Sequence, residues 1–175
     1  EPAMNLIGNG LAALFRHPAQ LSLLRAHPDL ISGAVDELLR YDGPTARASP
    51  RYPTEDIEIA GTTIPAGSVV IVAIASANRD PRRFANPDQL DIARSEQPHL
   101  AFGHGIHRCL GVPLARLEGE IAISTLLRRH PEVQLDGELS WHPFPVFRGL
   151  RTLPVSLATR LGPEPWAIPR RPQPR

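Results

Sequence analysis

The sequence is short of cysteine, lysine and net charge. Of its 175 residues one is cysteine, and the 19 basic residues, all arginine, are nearly balanced by 18 acidic residues. A single cysteine, Cys109, excludes an internal disulfide and any zinc or iron–sulfur site that needs two cysteines. A formal net charge of +1 produces no global field that would attract nucleic acid or acidic lipid. Nucleic-acid binding is therefore not expected.

Long apolar runs are also missing, although 42% of the residues are apolar. A membrane-spanning helix needs about 20 consecutive apolar residues, so no membrane span is expected in this segment. The 13 glycines and 20 prolines stay below the fraction that is typical of low-complexity disorder. The composition predicts a folded chain with one core. The first residue is Glu1 and not methionine, which leaves open a longer parent with a signal or anchor segment.

Apolar residues recur at helical spacing in the first part of the chain. Three runs, residues 4–16, 18–26 and 29–41, are separated by His17-Pro18 and His27-Pro28. Residues 43–77 then contain β-rich runs at 57–59, 62–64 and 69–72, which predict a small antiparallel sheet with residues 69–75 buried. Residues 78–88 lack periodicity and are interpreted as a surface meander. The pattern predicts a mainly α fold with small antiparallel β-sheets (α+β).

A long helix is predicted from Val112 to His130. Its one apolar face contains Leu114, Leu117, Ile121 and Leu126. Short strand-like pieces follow around residues 146–147 and 153–157. Residues 162–175 contain five prolines and are expected to be a disordered tail.

A lone cysteine lies between glycines just before this helix, in residues 102–111. The N–H groups of a helix N-terminus favour a thiolate and can hydrogen-bond its sulfur. The neighbouring glycines also let the backbone approach a flat ligand closely. Two other interpretations are a small buried hydrophobic residue and a nucleophile. A Cys-His hydrolase is disfavoured, because His107 is two residues from Cys109 on the same loop and no Gly-Ser elbow accompanies it.

Residues 102–111 resemble, at every fixed position, the FGxGxHxCxG heme-binding signature of the cytochrome P450 family. Glu37-Leu-Leu-Arg40 matches the ExxR motif of the family's K helix, at the expected distance upstream. Such a pair alone would be a weak signal, since Glu and Arg one turn apart are usually solvated. Between the motifs, residues 77–81 and 86–91 resemble the meander of soluble bacterial members.

The resemblance implies that residues 1–161 are the C-terminal part of a single cytochrome P450 domain. They would run from the end of the I helix through the J and K helices, a β-sheet, the meander, the heme-binding loop and the L helix to a C-terminal β hairpin. Cys109 would be the thiolate ligand of the iron of heme b (iron protoporphyrin IX), where a thiolate favours O–O cleavage. His107 and Arg51 would each bind a heme propionate, for which an arginine fork is suited. A surface arginine is the alternative for Arg51.

Other residues would support the loop. Phe102 would pack near the sulfur. Glu37 and Arg40 would form a buried ion pair that stabilises the loop and takes no part in the chemistry. The glycines that would shape the loop are Gly103, Gly105 and Gly111.

Two segments correspond to places where family members approach the substrate. The first is residues 45–49, with Ala46 and Ala48, and the second is residues 145–148, with Val146 and Phe147. For Val146 and Phe147, ordinary core positions are an equally good interpretation.

The sequence departs from the family pattern at its start. Residues 1–10 resemble the oxygen-binding half of the I helix, where an acid followed by threonine usually delivers protons. Glu1 would be that acid, but Pro2 occupies the alcohol position and Ala3 follows. We hypothesise that water or a substrate hydroxyl supplies the proton, or that reductant is coupled poorly to product.

A second departure lies in the meander. Gln89 and Leu90 stand where family members often have Arg and Phe. The third member of the Glu37–Arg40 network is therefore open, with Arg94 and Arg79 as candidates.

The resemblance implies a cytoplasmic heme-thiolate monooxygenase that inserts one oxygen atom from O₂ into a small apolar organic substrate, a reaction common in bacterial secondary metabolism. Electrons would come from a ferredoxin or similar protein that docks near Arg108 and Arg116, because the segment has no flavin or nicotinamide fingerprint. One alternative is a truncated, inactive remnant or binding module. Another is a peroxide-driven heme enzyme on the same scaffold.

Overall fold

The computed structural model describes residues 1–95, 98–143 and 147–157. Within these ranges the chain combines α-helices with short antiparallel strands, which confirms the predicted fold class. The helices are α1 (Pro2–Arg16), α2 (Pro18–Ala26), α3 (Ile31–Asp42), α4 (Ile74–Ala77) and α5 (Val112–Arg129). The strands are β1 (Ile57–Ile59), β2 (Thr62–Ile64), β3 (Gln134–Leu135), β4 (Ser140–Trp141), β5 (Leu150–Thr152) and β6 (Val155–Ser156). The predicted tail, residues 162–175, lies outside the described residues.

Proline sets the starts of the first helices. Pro2 and Pro18 lie in the first turns of α1 and α2, where a missing N–H costs nothing and the fixed φ already suits a helix. The predicted run 18–26 matches α2. The predicted run 29–41 is divided between two elements, a 3₁₀ turn at Pro28–Leu30 and the helix α3 that follows it.

The core lies where α1, α3 and α5 pack against one another. Small residues bring the helices close together, because a Cβ at Gly119 of α5 would lie 3.3 Å from both Leu6 and Val35. A Cβ at Gly10 of α1 would lie 3.1 Å from Leu38. The largest fully buried apolar side chains are Phe84, Leu14, Leu38, Leu39, Ile92, Ile123, Val35 and Val133.

The apolar face predicted for α5 is mostly not its buried face. Leu114, Leu117 and Ile121 are each more than half exposed. The helix instead buries the side that contains Gly119, where the missing side chain leaves room for a close approach to α1 and α3. Its buried residues are Val112, Gly119, Ile123 and Leu127. None of the helices described is long and apolar enough to cross a membrane.

All strand pairs in the described ranges are antiparallel. β1 and β2 form a hairpin in which Ile59 pairs with Thr62. The two linking residues, Ala60 and Gly61, both have positive φ, at 49° and 76°, as a two-residue turn of this handedness requires. Near the C-terminus β4 pairs with β5, and β3 pairs with β6.

The prediction that residues 69–75 are buried was wrong. Val69, Ile71 and Val72 are exposed, at 61%, 49% and 46%. Residues 69–72 also form no regular strand; Val70 makes an isolated antiparallel bridge with Arg51. Apolar character predicted burial, but within the described part of the chain this segment lies at the surface. Ile74, at the start of α4, is the buried residue of the run.

Candidate functional site

A buried ion pair connects α3 to the meander. The side chains of Arg40 and Glu37 are 2% and 3% exposed. Arg40 Nε and Nη2 donate to the two carboxylate oxygens of Glu37 at 2.7 and 2.8 Å. The guanidinium also donates to the carbonyl oxygens of Asn78, Pro87 and Gln89. Five donated hydrogen bonds use the full capacity of an arginine side chain.

Arg94 is the second cation that contacts Glu37. Its Nε donates to Glu37 Oε2 at 3.1 Å, and its Nη1 donates to the carbonyl of Ala85 at 2.7 Å. The other oxygen of Glu37 accepts the Asp91 N–H at 3.0 Å. Together these contacts fix the meander against α3. We call Glu37, Arg40 and Arg94 the Arg40 network.

Arg79, the other candidate for this network, has different partners. It donates to the carbonyl oxygen of Tyr41 at 2.7 Å and to the Asp88 carboxylate at 2.9 Å. Its guanidinium also lies 4.5 Å from the centre of the Tyr41 ring. Arg79 therefore joins the meander to the end of α3, while Arg94 contacts the buried carboxylate.

Asn78 connects the Arg40 network to the segment that leads to the cysteine. This residue is 2% exposed. Its backbone carbonyl accepts a hydrogen bond from Arg40, and its side-chain oxygen accepts the Leu100 N–H at 2.7 Å. The position of residue 100 is thereby fixed relative to α3.

A second set of contacts holds the same segment from the side of α5. Arg116 Nε and Nη2 donate to the two carboxylate oxygens of Asp36 at 2.8 and 3.0 Å. Asp36 also lies 3.4 Å from His99 Nε2, and His99 Nδ1 accepts the Ala101 N–H at 3.2 Å. Burial raises the pKa of Asp36, but the hydrogen bonds from His99 and Arg116 outweigh it, so the pKa lies below its usual value.

The loop that contains the cysteine, residues 102–111, is folded by its own backbone. Gly103 and Gly105 have φ of 73° and 71°, a region that side-chain-bearing residues rarely adopt. A 3₁₀ turn spans Gly105–His107, and the Cys109 N–H donates to the carbonyl of Phe102 at 2.9 Å. The loop therefore closes on itself just before α5. We call it the cysteine loop.

Exposure distinguishes this loop from its surroundings. Cys109 is exposed, so it is not the small buried hydrophobic residue that was one interpretation of the sequence. Gly111 precedes α5 with an ordinary negative φ of −80°. A Cβ at Gly111 would make ordinary contact with Cys109 Sγ, at 3.6 Å.

A cavity of about 500 Å³ opens beside the cysteine loop. Cys109, His107 and Arg51 all lie in its wall. The other walls are mainly apolar, although Arg47, Ser49 and His104 also line the cavity. The lining residues come from segments spread between α1 and Phe147. Further lining residues include Pro2, Ala3, Leu6, Leu39, Pro44, Thr45, Ala48, Val72, Ile74, Ala101, Phe102, Gly103, Ala115 and Phe147.

Several predicted site residues meet in this cavity and others do not. Phe102, Gly103, Ala48 and Phe147 line it, in addition to the three residues above. Ala46 does not; its carbonyl accepts the Ala75 N–H at 3.0 Å and so joins this segment to α4. The remaining loop glycines, Gly105 and Gly111, are also outside the lining, and Val146 lies outside the described residues.

Glu1 is exposed at the N-terminal cap of α1 and does not line the cavity. Its carbonyl accepts the Asn5 N–H at 3.0 Å. The first turn of α1 instead presents Pro2 and Ala3 to the cavity. Neither side chain has a proton donor or acceptor, so this part of the wall is apolar.

Arg51 is held at the cavity by its backbone. Its N–H donates to the Val70 carbonyl at 2.9 Å, and its carbonyl accepts the Val70 N–H at 2.8 Å. The exposed guanidinium makes only long contacts, from Nη1 to the carbonyls of Ser49 and Pro50 at 3.4 and 3.3 Å. Most of its donor capacity is therefore unused among the described residues.

One cluster, around Arg148, was not predicted from the sequence. Arg148, placed in a substrate-facing stretch, does not line the cavity. It pairs with Asp42, its guanidinium lies 3.6 Å from the centre of the Trp141 ring, and Asn9 donates to its carbonyl. One feature of the sequence could have predicted this pair. Asp42 ends α3, and an acidic residue at a helix C-terminus is unfavourable without a nearby cation.

The chain is similar in sequence to proteins of one known family. A family model described as Cytochrome P450 matches residues 24–139. The chain is 52% identical to the cytochrome P450 monooxygenase PikC of Streptomyces venezuelae over 158 residues, which are 89% of this chain and 38% of that protein. It is also 52% identical to the biotin biosynthesis cytochrome P450 of Bacillus subtilis over 157 residues, 89% of this chain and 40% of that protein.

Solved structures agree with the sequence comparisons. The crystal structure of P450BioI in complex with an acyl carrier protein ligated to hexadec-9Z-enoic acid superposes with a TM-score of 0.88 at 51% identity. The match covers 90% of this chain and 41% of that one. Bacillus subtilis PksS, a polyketide synthase cytochrome P450, gives a TM-score of 0.88 at 44% identity, covering 91% and 42%. The chain thus spans about two fifths of the length of its relatives.

Proposed function

Because this chain belongs to the cytochrome P450 family, we propose that it is the heme-binding, C-terminal part of a heme-thiolate monooxygenase. In this proposal residues 1–161 belong to one domain that the rest of a longer protein completes. The observation that supports the proposal most directly is the position of Cys109, His107 and Arg51 around one largely apolar cavity.

The residues present fit a heme. Cys109 offers an exposed thiol, the kind of ligand that heme iron takes in this family. Arg51 has unused donors, and His107 adds a second nitrogen donor for a propionate. Heme b is the form we propose, because the one cysteine is needed for the iron and no Cys-x-x-Cys-His attachment sequence is present.

When bound, heme would supply the activation of O₂ for insertion of one oxygen atom into the substrate. The protein's own residues position the Cys109 thiol and exclude water from the cavity. The Phe102 carbonyl fixes the backbone of Cys109, and Asn78 and His99 fix the segment before it. Apolar walls from α1 and from Leu39, Val72 and Ile74 favour a small apolar organic substrate.

The part of the cavity wall formed by α1 has no side chain that could deliver a proton. Pro2 and Ala3 line the cavity without a hydroxyl, and Glu1 lies outside the lining. We therefore propose that solvent water or a substrate hydroxyl supplies the proton, or that reductant is coupled poorly to product. Product formed per NAD(P)H consumed measures this, and tight coupling with a substrate that lacks hydroxyls would contradict it.

We further propose a ferredoxin or similar electron donor. A second cavity of about 760 Å³, on the side of the cysteine loop that faces Asp36, is lined by Arg108 and Arg116 among other polar residues. Arg116 is already paired with Asp36, whereas Arg108 is exposed. Arg108 is thus the better candidate to meet acidic groups of a partner.

The experiment that tests the proposal is a carbon monoxide difference spectrum of the reduced, heme-loaded protein. We expect the red-shifted Soret band of a thiolate-ligated ferrous heme, and its loss in Cys109→Ser. Absence of the band in the wild type would favour an inactive remnant or a binding module. Turnover with hydrogen peroxide and no electron donor would favour the peroxide-driven alternative.

A further inference from the structure

Arg148 lies just before β5 and joins the C-terminal hairpin, formed by the paired strands β4 and β5, to the end of α3. Its Nε and Nη2 donate to the two carboxylate oxygens of Asp42, the second at 3.2 Å. The guanidinium lies 3.6 Å from the centre of the Trp141 ring, so the same planar group is stacked and paired. Asp42 is the last residue of α3, where a cation offsets the repulsion between its carboxylate and the helix dipole.

The backbone around Arg148 is fixed as firmly as its side chain. The Arg148 N–H donates to the Pro44 carbonyl at 2.8 Å. Asn9, which is 1% exposed, donates from Nδ2 to the carbonyls of both Arg148 and Asp42, at 3.0 and 3.2 Å. Segments from α1, the end of α3 and the C-terminal hairpin therefore meet at one point.

The backbone at Gly149 packs closely against a side chain of α1. A Cβ at this position would clash with the side-chain amide of Asn5. Asn5 belongs to α1 and is itself buried. The backbone of residues 148–149 therefore runs directly against α1.

Phe147, the residue before Arg148, lines the cavity that contains Cys109. It forms an antiparallel bridge with Thr45, which lines the same cavity. Arg148 does not line it. We propose that Arg148 is a positioning residue: its pairing with Asp42 and its stacking on Trp141 hold Phe147 in the wall that selects the substrate. This inference rests on the proposed function, since it assigns the selecting wall of the proposed oxygenase.

The test compares two nitrogen ligands of heme iron, imidazole and 4-phenylimidazole, in the heme-loaded holoenzyme. Both would bind the iron through the same ring, and they differ only in the phenyl group, which is the part that would contact the cavity wall. In Arg148→Lys, which keeps the charge and loses the planar fork, we expect the preference for 4-phenylimidazole over imidazole to change by about three- to tenfold, the range that one aromatic contact is worth. The carbon monoxide band should be unchanged, because Arg148 does not contact Cys109.

Asp42→Asn is the second variant, in case Arg148→Lys does not fold, and it should shift the preference in the same direction. Arg151→Lys makes the same exchange at an exposed position of the neighbouring strand and should leave the preference unchanged. Amide hydrogen exchange of residues 147–152 supplies a readout that does not need heme, and it should be faster in both cluster variants than in the control.

An unchanged preference, or an equal loss of affinity for both ligands, overturns the inference and leaves the proposed function standing. A wild-type protein without the thiolate band overturns the proposed function instead. In that event hydrogen exchange decides the inference, because unchanged exchange in both cluster variants would show that Arg148 does not hold this segment.

Discussion

Every N–H of the Arg40 guanidinium has an acceptor, whereas in the adjoining cysteine loop Ile106 and Leu110 are 97% and 98% exposed. These two regions are joined through Asn78, which contacts both the network and the segment before the loop. One region is therefore complete within the described residues. The other presents its thiol and its apolar side chains to open space.

This contrast separates residues that stabilise the fold from residues that are available to bind a ligand. A buried, paired charge is very costly to disturb, because the remaining partner stays buried without compensation. An exposed side chain contributes little to folding and remains available for a ligand. We expect variants in the Arg40 network to change stability, and variants in the cysteine loop to change heme binding alone.

The largest effect is expected for Arg40→Ala. It leaves Glu37 buried with one cation and frees three backbone carbonyls, so the free energy of unfolding should fall by about 3–5 kcal/mol. Urea unfolding measures this. Arg82→Ala removes an exposed arginine that is paired with Asp80 at the surface and should have no measurable effect. A loss in Arg40→Ala no greater than in this control would remove the distinction between the regions.

A smaller loss is expected for Asn78→Ala, which cuts the connection between the regions. The Leu100 N–H loses its acceptor at a partly buried position, which costs about 1–3 kcal/mol. The variant should also bind heme more weakly, because the segment before the cysteine loop is no longer fixed. Asp88→Ala in the same meander is the control, since this side chain is 80% exposed. Normal heme affinity in Asn78→Ala would show that the loop is positioned independently of the network.

A pH-dependent contribution is expected from Asp36, on the other side of the cysteine loop. Its pKa is below the usual value in the folded protein because hydrogen bonds from His99 and Arg116 outweigh the opposing effect of burial. This stabilisation is fully present above the unfolded-state pKa, about 4, and is lost as pH falls through the folded-state pKa. The stability advantage of the wild type over Asp36→Asn should therefore shrink below about pH 4. An advantage that is constant from pH 3 to 7 would contradict the assignment.

The smallest effect on folding is expected for Cys109→Ser. The side chain is exposed, so the free energy of unfolding of the heme-free protein should change by less than about 0.5 kcal/mol. The thiolate band of the heme-loaded protein should nevertheless disappear. A large loss of stability in the heme-free variant would mean that the cysteine loop belongs to the folded core.

Local patterns could be predicted from the sequence wherever nearby residues determine the result. The hairpin of β1 and β2 and the start of α2 at Pro18 depend on residues a few positions apart. The burial of the Glu37–Arg40 pair was implied by the family resemblance, because such a pair alone is usually solvated. The signature around Cys109 likewise led to a cavity that contains His107 and Arg51.

The features that could not be predicted depend on distant contacts. Arg94 and Arg79 were equivalent candidates because only the path of the meander decides which of them reaches Glu37. The pairing of Asp42 with Arg148 joins residues 106 positions apart. The buried side of α5 was mistaken because its closest contact is made by Gly119, which adds nothing to an apolar pattern.

The contact between Asn5 and Gly149 also constrains recombination with relatives. The two positions lie near opposite ends of the chain, yet one has room for its side chain only because the other has none. A chimera that takes its C-terminal hairpin from one parent and α1 from another separates this pair at any crossover point between them. Crossovers should therefore succeed where both parents have glycine at the position of Gly149, or where positions 5 and 149 are inherited together.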